Sequence, residues 1–252
     1  WSGWMSGDSA FAQQTTSCLM SRIRRDPGVL CSRLDPQYQN LYKGMKKGMY
    51  TGMLPGFTLS FLTDTGHPEA VDSFNTFVRR SIDGSGNLLE DMILDDYSGL
   101  ALIYDSRGKL GEYTAKFRPW EGGIVLDAAY KYLVGFSPDA NKKIVSLRPH
   151  IPNNWPSMAA NGLRAGDDRF DLAVKHTSVP EYEIHFASKG QKSWAVDLRW
   201  DSGTKIASIS VNGKAVPEKE LTRYTHFGTN SVGISGVQLE AGKTAIFKIS
   251  EK

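Results

Sequence analysis

The 252-residue sequence has two cysteines, no long apolar run and little net charge. No run approaches the roughly 20 apolar residues that a helix needs to span a bilayer. The 30 basic and 27 acidic residues leave a formal charge of +3, too small to indicate a nucleic-acid or membrane-surface partner. Cys18 and Cys31 could pair in an oxidising compartment or remain as two buried thiols. We therefore expect a globular protein with no nucleic acid and no membrane as partner.

Several catalytic signatures are also missing from the sequence. The five histidines are scattered and show no HExxH or other metal-binding spacing. His150, in LRPHIP, is instead predicted to lie at a domain junction. Neither a phosphate-binding glycine loop nor a G-x-S-x-G segment occurs, which argues against nucleotide-dependent chemistry and serine hydrolysis. We predict no metal and no cofactor.

Residues 1–143 are predicted to be mainly helical. Apolar side chains recur there at helical spacing in four stretches. They predict one helix capped by Asp8 or Ser9 and ended by Pro27, and three further helices at 51–62, 68–82 and 122–134. The turn Asp64-Thr65-Gly66 would join the second and third as an antiparallel hairpin. The residues around Ser106-Arg107-Gly108 favour a short β-hairpin.

Beyond Pro138 the apolar residues alternate with polar ones, as in half-buried strands. Asn212-Gly213 is the clearest local signal, because both central residues of a type I′ turn need positive φ. Trp155, Trp194 and Trp200 are predicted to be packing residues. Residues 144–252 are therefore predicted to form an antiparallel β-sandwich, in an α+β chain of two domains, with strands at 143–148, 170–176, 181–187, 194–200, 205–211 and 244–249.

The segment 117–155 holds the most informative carboxylate, Glu121. Trp120 precedes it and two glycines follow, so an indole could shield one side while the glycines let a sugar approach the backbone. A carboxylate in that setting suits a general base. The alternative is an ordinary glutamate in the first turn of a helix, where the helix dipole favours negative charge.

The pieces WEGG, YLVGFSPD and LRPHIPNNW resemble the C-terminal part of a six-hairpin (α/α toroid) glycoside hydrolase, the group of glucoamylases and α-rhamnosidases, running into its C-terminal β-sandwich. The resemblance implies toroid hairpins over 1–143 and an inverting acid/base mechanism. In α-rhamnosidase-like enzymes a Trp-Glu pair lies on a late loop, which implies the base role for Glu121. Here WEGG leads almost directly into the last helix, where those enzymes have more intervening chain.

A second candidate for the catalytic base is Glu112. The segment GEYTAKF resembles a Glu-x-Tyr segment that carries the base in some trehalase- and glucosidase-like members. The alternative for Glu112 is a solvent-facing residue on a hairpin strand.

The candidate substrate-binding residues share positions near glycines or acidic residues. Aromatic faces there could stack on the C–H face of a pyranose, and acidic groups could hydrogen-bond sugar hydroxyls. The acidic run LEDMILDD could also bind a cation, but it lacks the spacing of a calcium loop. The candidates are Trp120, Trp1, Trp4, Asp8, Asp95, Asp96, Tyr97, Tyr113 and Arg118.

A complete toroid of twelve helices needs on the order of 300 residues. The helical part is therefore expected to be incomplete, and its partner would be the missing N-terminal part of the same enzyme or another chain that completes the ring. We expect a carbohydrate substrate and a secreted or periplasmic location. Two alternatives remain: a non-catalytic carbohydrate-binding or assembly protein of the same architecture, and a polysaccharide lyase, although no histidine lies near Tyr97 or Tyr113 in sequence.

Overall fold

The computed structural model describes residues 6–31, 48–82, 91–94, 103–104, 110–111, 119–178 and 181–252. They belong to two compact units, residues 1–129 and 130–252. In the part described, no helix combines the length and the apolar character needed to cross a bilayer.

The first unit is built around helices. They are α1 (Ala10–Ile23), α2 (Leu54–Thr65), α3 (Ala70–Asp72), which continues as a π-helical turn over Ser73–Val78, and α4 (Pro119–Leu133). The side chain of Ser9 accepts a hydrogen bond from the Ala12 N–H at 3.3 Å and caps α1. Gly66, at φ +68°, ends α2 in the left-handed conformation that glycine adopts without strain. All four predicted helices are therefore confirmed within a few residues.

The toroid is not confirmed. In the described part of the chain there are four helices, and they do not show the ring of hairpins that the resemblance implies. The first unit also contains short antiparallel pairs, β1 (Arg24–Asp26) with β2 (Val29–Leu30), β3 (Met49–Thr51) with β4 (Asp91–Ile93), and β5 (Ile103–Tyr104) with β6 (Leu110–Gly111). The last pair places antiparallel strands on the two sides of Ser106-Arg107-Gly108, as predicted, while that turn itself lies outside the described residues.

The turn between β1 and β2 is clamped to the start of α3 by Glu69. The Glu69 carboxylate accepts hydrogen bonds from Arg24 Nε, at 2.9 Å to each oxygen, and from the Gly28 N–H at 2.6 Å. Burial alone would raise the pKa of Glu69, but these hydrogen bonds outweigh it and lower that pKa. The clamp holds β2 against a small core made of Val29, Cys31, Tyr50, Phe77 and Leu94. Cys31 and Cys18 are both thiols, and Cys18 is exposed, so neither predicted state of the cysteine pair is fully correct.

We expect Gly28→Ala to destabilise the first unit by about 2 kcal/mol or more. Gly28 has φ +67°, and an added Cβ would lie 2.2 Å from the Ser73 backbone nitrogen, so both backbone strain and a clash oppose the substitution. Thermal unfolding measures the effect. Gly123→Ala is the matched control, because a Cβ there meets nothing within 4 Å and should stabilise α4 by about 0.5–1 kcal/mol. Equal melting temperatures for the two variants would contradict the prediction.

The second unit is a sandwich of two sheets. Its strands are β7 (Phe136–Asp139), β8 (Ile144–Leu147), β9 (Ser157–Ala165), β10 (Asp168–Ser178), β11 (Glu181–Ser188), β12 (Trp194–Ser202), β13 (Ile206–Val211), β14 (Lys214–Ala215), β15 (Thr222–His226), β16 (Thr229–Leu239) and β17 (Thr244–Glu251). One sheet has the order β14-β13-β17-β11-β10-β9 and the other β15-β16-β12-β8-β7. Neighbours are antiparallel except for β8 and β12, which are parallel.

Both sheets contribute to one hydrophobic core. Phe170 and Phe186 come from one sheet, and Trp194, Val196 and Leu198 come from the other. The rings of Phe170 and Trp194 meet edge to face with centroids 5.3 Å apart. This packing across the interior confirms the sandwich and its mainly antiparallel sheets.

The six predicted strands are all present with small shifts of their ends. Asn212 and Gly213 have φ of +51° and +80°, as the predicted type I′ turn requires. The prediction missed β7, β9, β14, β15 and β16. Phe136–Asp139, near the end of the part predicted to be mainly helical, is itself strand β7 and pairs with β8.

Candidate functional site

Glu121 lies in the first turn of α4 and is 2% exposed, whereas the neighbouring Trp120 is 53% exposed. Pro119 begins the helix, a position where its fixed φ and missing N–H cost nothing. Glu121 heads a stripe of buried side chains at helical spacing that continues through Val125 and Ala128. Burying a carboxylate costs free energy, so this position is unusual for an ordinary helix-start glutamate.

The start of α4 packs closely against the start of α2. A Cβ added to Gly56 would lie 2.8 Å from both Cγ2 and the carbonyl oxygen of Ile124. Ile124 is one turn after Glu121 and therefore shares its side of the helix. The face of α4 that carries Glu121 is thus the face held against α2, with Trp120 on the exposed part of the same turn.

Asp8 lies in the turn before α1 and is anchored to the other end of α2. Gly7 packs directly on the Asp64 carbonyl, and Gln13 Nε2 donates to the carbonyls of Gly7 at 2.6 Å and Thr65 at 3.0 Å. Gly56 and Asp64 are about 12 Å apart along a helix that rises 1.5 Å per residue. Asp8 and Glu121 are therefore associated with opposite ends of α2.

The remaining candidate residues lie outside the described part of the chain, so their positions stay predictions. They are Glu112, Trp1, Trp4, Asp95, Asp96, Tyr97, Tyr113 and Arg118. Within the ranges that are described, no group of three or more histidine, cysteine or acidic side chains could hold a metal ion.

The second unit contains a buried charge cluster that sequence analysis found only in part. Asp201, on β12, has a side chain 6% exposed and accepts hydrogen bonds from Arg148 Nε at 2.7 Å, His150 Nε2 at 3.0 Å and the hydroxyl of Ser231. Arg199 Nε approaches the same carboxylate at 3.4 Å. Burial alone would raise the pKa of Asp201, but the hydrogen bond from His150 and the charge of Arg148 hold that pKa well below its usual value.

His150 connects this cluster to the end of α4. Its Nδ1 donates to the Tyr132 carbonyl at 2.9 Å, and its ring stacks on the Tyr132 ring with centroids 4.7 Å apart. Both ring nitrogens therefore face oxygen acceptors. The cluster therefore fixes the segment Arg148–His150 between a helix end and the sheet. The motif LRPHIP signalled His150, but nothing in the sequence signalled Asp201, because its partners come from three separate segments.

Comparison with known proteins gives only distant similarity. No protein-family model matches the chain. No curated protein matches it either.

Solved structures similar to parts of the chain include several glycoside hydrolases. An α-L-rhamnosidase from Dictyoglumus thermophilum is 9% identical, with a TM-score of 0.48 over 79% of this chain and 21% of that one. A GH31 dextranase from Flavobacterium johnsoniae, complexed with glucose, is 13% identical, with a TM-score of 0.30 over 43% of this chain and 17% of that one. A GH127 β-L-arabinofuranosidase from Geobacillus stearothermophilus T6 is 8% identical, with a TM-score of 0.32 over 78% of this chain and 28% of that one. The chain thus spans well under a third of each of these proteins.

Proposed function

We propose that this chain is the C-terminal portion of a glycoside hydrolase that cleaves glycosidic bonds in oligo- or polysaccharides by an inverting acid/base mechanism. The observation that carries the proposal is the Trp120–Glu121 pair, in which a buried carboxylate stands beside an exposed indole at the start of α4. The order of a helical unit followed by a β-sandwich supports it, as does the resemblance of WEGG, YLVGFSPD and LRPHIPNNW to six-hairpin enzymes.

Inverting hydrolysis needs two carboxyl groups on opposite sides of the glycosidic bond, roughly 6.5–9.5 Å apart, so that a water fits beside the base. In this proposal Glu121 takes the proton from that water as it attacks the anomeric carbon. The general acid, which protonates the leaving oxygen, belongs to the remainder of the polypeptide or to another chain that completes the helical ring. Glu112 is the second candidate for the base.

Trp120 would contribute to binding rather than to proton transfer. Its exposed indole offers a flat apolar face, and such faces pack on the C–H face of a pyranose. Trp1, Trp4, Asp8, Asp95, Asp96, Tyr97, Tyr113 and Arg118 are the further residues proposed to contact the sugar.

We expect Glu121→Gln in the full-length polypeptide to lower kcat by about 10²–10⁴-fold, because the amide keeps the shape of the side chain but cannot accept the proton. Release of reducing sugar from a panel of oligosaccharides measures the effect. The matched control is Asp127→Asn, an exposed carboxylate on the same helix, which should leave kcat unchanged. Full turnover in Glu121→Gln would remove Glu121 from the base role.

A non-catalytic carbohydrate-binding protein is the second candidate function. The 2% exposure of Glu121 favours it, because a general base has to reach a water that also touches the substrate. This alternative predicts that sugars bind, that no glycosidic bond is cleaved and that Glu121→Gln changes the melting temperature only. Calorimetry with the same oligosaccharides, run beside the activity assay, separates the two functions.

A further inference from the structure

We propose that a groove at the edge of the sandwich binds the acidic groups of an anionic saccharide. The groove lies where β13 of one sheet and β15 of the other come together. Its volume of about 640 Å³ falls within the range of small-ligand sites. Its lining includes Lys205, Glu218, Arg223, Tyr224, Asn230 and Lys252.

The charges of the groove do not cancel. Arg223 and Glu218 neutralise each other through paired hydrogen bonds, including Nη2 to Oε2 at 2.8 Å. These hydrogen bonds also hold the pKa of Glu218 below its usual value. The charge of Lys205 contributes to the same lowering, so Glu218 faces two cations, and the lining side chains together carry three positive charges and one negative charge. The side chains on the groove wall therefore have an excess of positive charge.

The two lysines are neighbours in space. The Lys252 N–H donates to the Lys205 carbonyl at 2.8 Å, so their side chains start from adjacent positions on the lining. Two lysines on neighbouring backbone positions suit a carboxylate or a sulfate ester, because either anion offers several acceptor oxygens at once.

The other polar lining residues suit the sugar ring that carries the anion. Tyr224 supplies an aromatic ring, which is held by the Arg199 guanidinium 4.3 Å from its centroid. Asn230 is fixed by a hydrogen bond of 3.2 Å from Nδ2 to the Thr204 carbonyl. Ser231, also on the lining, donates to Asp201, so the buried charge cluster supports this side of the groove. An aromatic ring, an amide and two lysine ammonium groups together favour an acidic sugar over a simple inorganic anion.

This proposal does not depend on the proposed function, because it requires binding alone. The test is calorimetric titration of the full chain with a galacturonate oligosaccharide, a sulfated heparin oligosaccharide and the neutral maltohexaose. We expect an acidic probe to bind, the neutral probe to bind much more weakly, and added salt to weaken the acidic complex. The response to the first two probes identifies the carboxylate or the sulfate as the preferred group.

The double substitution Lys205→Gln/Lys252→Gln should weaken binding of the acidic probe about tenfold or more. The control Lys214→Gln/Lys243→Gln removes the same charge from two exposed lysines that do not line the groove and should change the affinity less than about twofold. The proposal is overturned if neither acidic probe binds, if maltohexaose binds equally well, or if both double variants lose affinity to the same extent. Circular dichroism of both variants confirms that each one is folded.

Discussion

Replacing Asp201 by alanine is expected to lower the free energy of unfolding by about 3–5 kcal/mol, the usual cost of removing one partner from a buried ion pair. The variant leaves the guanidinium of Arg148 and the imidazole of His150 without the carboxylate that each one faces. It also removes the acceptor for the Ser231 hydroxyl. Urea-induced unfolding followed by tryptophan fluorescence measures the change.

The same substitution gives a pH signature that a simple packing defect would not give. Because the folded-state pKa of Asp201 is depressed, its stabilisation is complete above the pKa of an unfolded aspartate, near 3.9, and is lost as the pH falls below that value. The stability difference between wild type and Asp201→Ala should therefore be full at neutral pH and shrink in acid. Asp167→Ala, which removes an exposed carboxylate, is the control. A difference that stays constant down to pH 2 would show that the charge pairing contributes little.

Trp194→Ala should have a comparable effect, about 3–5 kcal/mol, because it opens a large cavity in the core of the sandwich. The Trp194 ring is fully buried, meets Phe170 edge to face and has the Lys143 ammonium 4.7 Å from its centroid. Its indole Nε1 donates to the buried Asp168 at 3.0 Å. The variant thus loses packing and a polar contact together.

Trp194→Phe separates these two losses. A phenyl ring keeps most of the packing but cannot donate to Asp168, so this variant should lose about 1–3 kcal/mol. The order of stability should be wild type, then Trp194→Phe, then Trp194→Ala, in thermal or urea unfolding. If the two variants were equally unstable, the hydrogen bond to Asp168 and not the ring would account for the whole effect.

The helices and six strands of the sandwich could be predicted because their signals are local. Ser9 and Gly66 mark helix ends, and β12 alternates buried and partly exposed residues over its full length. Trp194 and Trp200 are buried as predicted, whereas Trp155 is 36% exposed. The π-helical turn over Ser73–Val78 has the same apolar pattern as an α-helix, so the sequence did not distinguish it.

The strands that the sequence analysis missed have local sequences that are not typical of a strand. Strand β16 contains Gly233 and Gly236, and Gly236 has φ +74°, so the sequence looks like a turn. β9 lies at the edge of its sheet and is largely exposed, so it lacks apolar alternation. β7 contains Pro138, which is tolerated because β7 is also an edge strand.

The sequence predicted which segment holds the candidate site, but it did not predict how that segment packs. The aromatic and glycine neighbours of Glu121 pointed to it, but its burial follows from the contact between Gly56 and Ile124, which are far apart in sequence. The charge cluster depends in the same way on the register of β12 and β16, which pairs Asp201 with Ser231. Neither arrangement can be recognised from the spacing of residues along the sequence.

Strand β7 also determines where the second unit can be cut from the polypeptide. A recombinant product that began at Ile144 would lack the strand that covers one edge of β8, and the exposed backbone groups would invite pairing between molecules and precipitation. It would also lack the Leu133 carbonyl, which accepts from the His150 N–H at 3.2 Å. Beginning at Tyr130, the first residue of the second unit, retains both features and gives a version suited to crystallisation.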